Sequence, residues 1–236
     1  MKRGVVVLVL AMMAVAAQSA EAQKRRHDRA RGGPGGSFSV SLVGADAIGD
    51  LGTVVDKGFG LQFGGALPMA ANGHLRIRGD AGFVVYGVER LYYCGFTCRV
   101  SSELTTTNNI LFAGIGPELV LSNGDVQPYV YGTAGVSYFV TSSSLDDQDG
   151  YGPYLQTTNY SDAVYGLKYG GGLRFRMGGR NKAIYLDMGV ERHDNGMANY
   201  LTRGDIQDNP DGTVTLFPNR SDADLTTFRL GVTIGG

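Results

Sequence analysis

The chain has 236 residues, room for one domain or at most two. Its 21 Lys and Arg nearly cancel 22 Asp and Glu, so no strong field points to nucleic acid as the main partner, and two cysteines cannot staple a chain of this length. Glycine, at 37 residues, exceeds twice its usual share of about 7% without a collagen period; with 13 Tyr, 10 Phe and no Trp, this composition points to many short strands. A hydrophobic share of 43% is too high for a disordered chain.

The N-terminus carries export chemistry. Met1-Lys2-Arg3 is positive, Val5 to Ala17 is small or apolar throughout, and Ala20-Glu21-Ala22 is a small-x-small cleavage signal. Residues 1–22 are therefore expected to be a secretory signal peptide cut before Gln23. The next segment, 23–36 (QKRRHDRARGGPGG), is basic and then rich in Gly and Pro, the composition of a flexible solvated tail. Beyond the N-terminus no run of 18 apolar residues exists, so no helix is expected to span a membrane.

From residue 37 to 236 the hydrophobic period is two, again and again. Phe38, Val40 and Leu42 alternate with serines. Phe59, Leu61 and Phe63 alternate with Gly60, Gln62 and Gly64. Leu75, Ile77, Ala81, Phe83 and Val85 alternate with Arg76, Arg78, Asp80 and Gly82. Leu111, Ala113, Ile115 and Leu119 alternate with Phe112, Gly114, Gly116 and Glu118. Val130, Ala134, Val136 and Tyr138 alternate with Tyr131, Thr133 and Ser137. Tyr165, Leu167, Tyr169, Leu173 and Phe175 alternate with Lys168, Gly170, Gly172 and Arg174. Leu186, Met188 and Val190 alternate with Asp187, Gly189 and Glu191. Phe228, Leu230, Val232 and Ile234 alternate with Thr227, Arg229, Gly231 and Thr233. Eight strands follow.

Their connections sort by length. The second, fourth and sixth are tight: Ala70-Ala71-Asn72-Gly73, Asn123-Gly124-Asp125 and Gly179-Arg180-Asn181 join antiparallel neighbours. The others, roughly 48–57, 91–105, 144–162 and 197–222, are long and polar. An outer-membrane barrel sorts its connections this way, with short periplasmic turns and long external loops. One face of each strand is apolar over about 9–11 residues, enough to cross a bilayer when tilted. The other face holds Arg76, Arg78, Asp80, Glu118, Lys168, Arg174, Arg176, Asp187, Glu191 and Arg229. Behind an export signal, lipid outside and charges inside is the economical arrangement, and only a closed barrel satisfies every strand edge in lipid. The expected fold is all-β: an eight-stranded antiparallel up-and-down transmembrane β-barrel. A secreted lipocalin-like barrel is the alternative.

In its eight-strand pattern, alternating loop lengths and Gly-rich interior, the segment 37–236 resembles the small outer-membrane β-barrels of the OmpA/OmpX and opacity-protein type. The resemblance implies a fold and a cell outer-membrane location more than an activity. Members of that group usually end on an aromatic residue, whereas this sequence ends Thr233-Ile234-Gly235-Gly236.

Inside so narrow a barrel, isolated charges are costly. The ten lumen charges are expected to form an ion-pair plug that fixes the barrel; the functional alternative is a gated small pore whose arginine excess favours anions. Cys94 and Cys98 lie in the second external loop, and in an oxidising compartment they are expected to form a disulfide that presents Tyr92, Tyr93 and Phe96. Two thiols without a nearby His make a poor metal site, and no metal or other cofactor is expected. His193 is expected at the rim, bonded to loop groups. Its segment, His193-Asp194-Asn195, is faintly similar to the His-x-Ser-Asn segment of outer-membrane lipid A deacylases, but Asn195 stands where a nucleophilic Ser would be needed. Acidic stretches in the third and fourth loops do not fit calcium-loop spacing. Tyr138 and Tyr165 belong in an interfacial girdle.

The reading is a non-enzymatic outer-membrane β-barrel protein that stabilises the envelope and displays four loops for surface contact. Its partners are outer-membrane lipid and lipopolysaccharide and an unknown surface ligand, with no nucleic acid. The alternatives are a narrow porin-like channel and, remotely, a lipid A-modifying enzyme.

Overall fold

In the computed structural model the described residues are 35–55, 57–94, 101–147, 155–179, 182–209 and 213–235. The expected signal peptide, most of the basic tail, Phe96 and Cys98 lie outside them, as do the side chains of Tyr92, Tyr93 and Cys94.

Every alternating segment forms a strand. These are β1 (Ser37–Ala47), β2 (Lys57–Pro68), β3 (Leu75–Cys94), β4 (Ser101–Val120), β5 (Val126–Asp147), β6 (Leu155–Gly178) and β7 (Ile184–Asn195). Four short strands follow, β8 (Met197–Tyr200), β9 (Ile206–Asp208), β10 (Val214–Leu216) and β11 (Asn219–Asp222), and then β12 (Leu225–Gly235). Strands β1 to β7 pair with their sequence neighbours, and β12 pairs with β7 on one side and β1 on the other, which closes an eight-stranded barrel. The closing seam runs from Ser37 opposite Gly235 to Ala47 opposite Leu225, all antiparallel. Closure leaves no row of unpaired amides along the seam, the one way a sheet can sit in hydrocarbon.

The tight turns behave as their residues require. Gly73 takes φ 69°, and its N–H donates to the Ala70 carbonyl over 2.9 Å. In the third turn Gly179 takes φ 108°. Both values fall where a side chain is strained and glycine is not.

The faces are inverted relative to a soluble barrel. Phe38, Leu42, Phe59, Ile115, Val136, Leu167 and Phe228 are exposed outward, while Arg78, Asp80, Glu118, Lys168, Arg174 and Glu191 are buried inside. Tyr138 and Tyr165 also face outward, Tyr165 with 87% of its surface exposed.

Two long connections depart from the sequence expectation. Segments 91–105 and 144–162 read as loops, yet most of both continues the ladder. Strands β3 to β6 run 20 to 24 residues, against 11 or 12 in β1, β2, β7 and β12. The extensions are rich in Ser and Thr. Register pairs there include Thr105 with Ser144 and Thr107 with Ser142, and the Thr106 and Ser143 hydroxyls bond over 2.7 Å. Thr is a good strand former, and cross-strand hydroxyl pairs add support without an apolar face. The barrel therefore carries a four-stranded wall that rises beyond the other four strands.

Candidate functional site: the barrel lumen and its external cap

Inward alternation fixes which side chains enter the lumen, and they divide it into two zones. The lower zone is a charge network. Glu118 on β4 is fully buried and accepts from Arg78 Nη1 at 2.9 Å and from Arg174 Nη1 and Nη2 at 2.9 and 2.8 Å. Arg174 Nε donates to Asp187 at 3.2 Å. Asp187 also accepts from the Tyr129 hydroxyl at 2.5 Å and from Thr233 at 2.8 Å. Asp80 binds Lys168 and lies 3.5 Å from Arg78 Nε. Glu191 takes the Tyr131 hydroxyl and lies 3.2 Å from Arg229 Nε. Residues far apart in sequence thus neutralise one another, the condition for ionised groups to remain in a dry interior.

Aromatic rings fill the space between the charges. The Arg174 guanidinium lies 4.0 Å from the Tyr129 ring centre, Arg78 lies 4.3 Å from Tyr131, and Lys168 Nζ lies 4.4 Å from Phe112. At such distances the ring quadrupole attracts the cation. Inward glycines give these large groups room: a Cβ on Gly172 would sit 2.6 Å from the Tyr129 hydroxyl oxygen, and one on Gly82 would sit 2.7 Å from Phe112 Cζ.

Of the ten charges expected inside, nine are buried. Arg176 is the exception. It sits at the last inward position of β6, its side chain is about half exposed, and it lies 3.9 Å from the exposed Asp125. Arg76 is buried but donates to the Gly73 carbonyl at 3.0 Å rather than to a carboxylate.

His193 also corrects the sequence reading. It is not a rim group bonded to loops but a buried lumen residue, 0% exposed, packed edge-on against Phe112 with ring centres 4.9 Å apart. Its Nε2 lies 2.9 Å from Glu191 Oε1 and 3.3 Å from Thr227 Oγ1, while Nδ1 has no partner. A hydroxyl–His–acid relay needs the acid and the hydroxyl on opposite ring nitrogens. Here both meet the same nitrogen, and no solvent reaches it.

The upper zone is apolar, which the polar-lumen reading did not anticipate. Leu51 and Val55 from the first external connection, Tyr86, Ile110 and Phe139 from the barrel strands, and Ala198, Tyr200, Ala223 and Leu225 from the fourth connection and its edge form one buried cluster. Leu201 is buried too, and its carbonyl accepts from the Tyr86 hydroxyl at 3.2 Å. The fourth connection thus folds over the external mouth as two small hairpins, β8 with β11 and β9 with β10. Polar ties hold it down. Asn195 Nδ2 donates to the Ala223 carbonyl at 2.7 Å, and Asn199 donates through its N–H and its side-chain amide to Asp162 at 2.7 and 2.9 Å. Asp224 accepts from Arg192 at 2.8 Å and from the Asn195 N–H at 3.1 Å; burial nonetheless pushes its carboxyl above the usual range. Asp205 accepts from the Thr202 N–H and hydroxyl, both at 2.7 Å, and from Asn219 at 2.5 Å, so the Arg203-Gly204-Asp205 triplet is a folded turn with its acid already engaged. The apolar residues 198, 200 and 201, clustered at the start of this connection, were the available signal for this cap.

Among the described residues no group of three or more His, Cys, Asp or Glu side chains is arranged to hold a metal ion. No family model matches the chain, and no curated protein matches it. Among solved structures it is similar to Ail, the attachment invasion locus protein of Yersinia pestis. That match has 13% identity, covers 86% of this chain and 99% of that one, and has a TM-score of 0.48. It is similar to Neisserial surface protein A (NspA) at 15% identity, covering 87% and 100%, TM-score 0.44. It is also similar to a major outer membrane protein from Thermus thermophilus at 15% identity, covering 84% and 98%, TM-score 0.45. At these values the fold assignment rests on the chain's own ladder, which closes β1 onto β12 as an eight-stranded antiparallel barrel.

Proposed function

We propose that this chain is an integral outer-membrane protein whose barrel is a filled scaffold rather than a conduit. In this reading it braces the envelope and holds a surface for external contact. The observation that carries the proposal is the inverted barrel. Large apolar side chains face outward around the strands, and the inside is occupied by interlocked ion pairs below an apolar cap. An outward apolar belt needs hydrocarbon around it, and closed barrels of this size are the outer-membrane solution to crossing a bilayer with strands. The partners that follow are outer-membrane lipid and lipopolysaccharide along the belt. Residues 1–22 supply the export signal, and Cys94 and Cys98 pair in the oxidising space outside. Alkylation of unreduced protein is expected to modify neither cysteine; labelling of both overturns the disulfide.

The test of the scaffold reading is conductance. Refolded protein, shown folded by a heat-modifiable gel shift, is expected to give no stable channel in a planar bilayer. Regular, anion-selective openings would instead establish the narrow-porin reading. The proposed role is non-enzymatic, supported by the burial and one-sided bonding of His193. Mass spectrometry is expected to find lipid A unchanged between cells carrying the wild type and His193→Ala; a modification lost in the variant overturns it.

A further inference from the structure

The lower lumen has one polar corner that the ion network does not use. Arg78 has three guanidinium nitrogens. Nε faces Asp80 at 3.5 Å, Nη1 donates to Glu118 at 2.9 Å, and the guanidinium carbon lies 4.3 Å from the Tyr131 ring centre. Those contacts fix the group and direct the remaining nitrogen, Nη2, toward β2, where it makes no hydrogen bond. It lies beside Gly64: a Cβ built there would be 3.3 Å from Nη2 and 2.6 Å from Ser39 Oγ, so the guanidinium and the serine hydroxyl both border the inward face of that glycine. Ser39 on β1 stands opposite Gly64 in the register. The next inward residue along β2 is Gln62, 2% exposed, with neither amide nitrogen nor amide oxygen partnered.

A buried, unpaired donor is costly, and more so when charged, and this corner places two of them, Arg78 Nη2 and Gln62 Nε2, on neighbouring strands. The charge count agrees. The buried cations are Arg76, Arg78, Lys168, Arg174 and Arg229, and the buried carboxylates are Asp80, Glu118, Asp187 and Glu191, so the arginines and lysine outnumber the carboxylates five to four and leave a positive charge to spare. Unpaired buried N–H donors and a neighbouring hydroxyl beside a surplus positive charge form an anion site. We propose that the lumen binds one small monatomic anion of the halide class, chloride under ordinary conditions, held by Arg78 Nη2, Gln62 Nε2 and Ser39 Oγ over Gly64. The ion enters during folding, because the cap and the ion pairs close around it.

Two measurements test this. Protein refolded in bromide in place of chloride and crystallised is expected to show one buried anomalous bromine peak within hydrogen-bond distance of Arg78 Nη2. An ordered water there without anomalous signal, or bromide found only on the outer surface, overturns the proposal. In solution, the heat-modifiability midpoint is expected to rise by about 3 °C in chloride or bromide over gluconate at equal ionic strength. Gln62→Leu, which removes one donor without touching an ion pair, is expected to lose most of that halide dependence while keeping the gel shift. An equal halide response in wild type and variant, or none in the wild type, refutes the site.

Discussion

Glu118→Gln tests whether the lumen network holds the barrel together. The carboxylate accepts three charge-assisted hydrogen bonds, all at 2.8–2.9 Å, from two arginines whose side chains are only 2% exposed. The amide keeps the shape but has one acceptor oxygen instead of two, and its NH2 must point toward a guanidinium. Arg78 retains Asp80 and Arg174 retains Asp187, so each cation keeps one partner, yet the charge midway between them is gone. Removing one member of a buried ion cluster costs about 3–5 kcal/mol. At roughly 2–4 °C per kcal/mol for a domain of this size, the unfolding midpoint should fall on the order of 10 °C. The assay is the heat-modifiable gel shift against temperature, with equilibrium urea unfolding in lipid vesicles for the free energy. The control is Glu103→Gln, which strips the solvent-facing Arg90–Glu103 pair at 3.4 Å and should cost less than about 1 kcal/mol. If the two variants behave alike, the interior charges are not what fixes the barrel.

Three further outcomes follow from the same geometry. Ile115→Arg places a charge on the outward face of β4, where Ile115 is exposed; it should cost about 2–4 kcal/mol if this face meets mid-bilayer lipid, read as lost folding yield into vesicles. Gly172→Val puts branched carbon against the Tyr129 hydroxyl and ring, an overpacking expected to cost about 1–3 kcal/mol in the same urea titration. Leu201→Asp buries an unpaired charge beneath the cap; limited proteolysis should then cut within 196–224 while the barrel's gel shift persists, and loss of the shift would mean that cap and barrel fold as one unit.

The barrel was legible because its period-two contrast is strong wherever one face meets lipid. Phe38, Val40 and Leu42 face out and Ser39 and Ser41 face in, as the alternation predicts, and the parity holds through Phe228 and Arg229. The wall above the membrane was not legible because its two faces are equally polar. Thr105 to Thr107 and Thr141 to Ser144 offer no contrast to read, and only cross-strand pairing shows that they are strands. The ion pairs were legible as a class but not as partners. Register sets Arg76 opposite Glu118, yet Glu118 bonds Arg78 and Arg174, because long side chains run along the lumen and choose partners a step away or across the barrel. His193 misled for a related reason. Its place near the end of β7 suggested a rim, but β6 continues well past it and the fourth connection folds over the mouth above it, while Thr227 and Leu225 of β12 lie alongside.

The division of the lumen into charged and apolar zones follows from what lies around each. In the proposed outer-membrane setting the strands are surrounded by hydrocarbon, so burying apolar groups inside gains little over leaving them outside. What distinguishes a correctly closed barrel there is the directional matching of Glu118, Asp187, Asp80 and Glu191 with their cations. At the external mouth the alternative to burial is water, and the hydrophobic effect regains its strength. That is where Leu51, Val55, Tyr200, Ala223 and Leu225 gather. Each zone is therefore held by the force its surroundings leave available. The two should also fail separately: salt that screens exposed ion pairs will leave the buried lumen pairs largely untouched, whereas urea, which solvates apolar and peptide groups, should loosen the cap before the barrel opens.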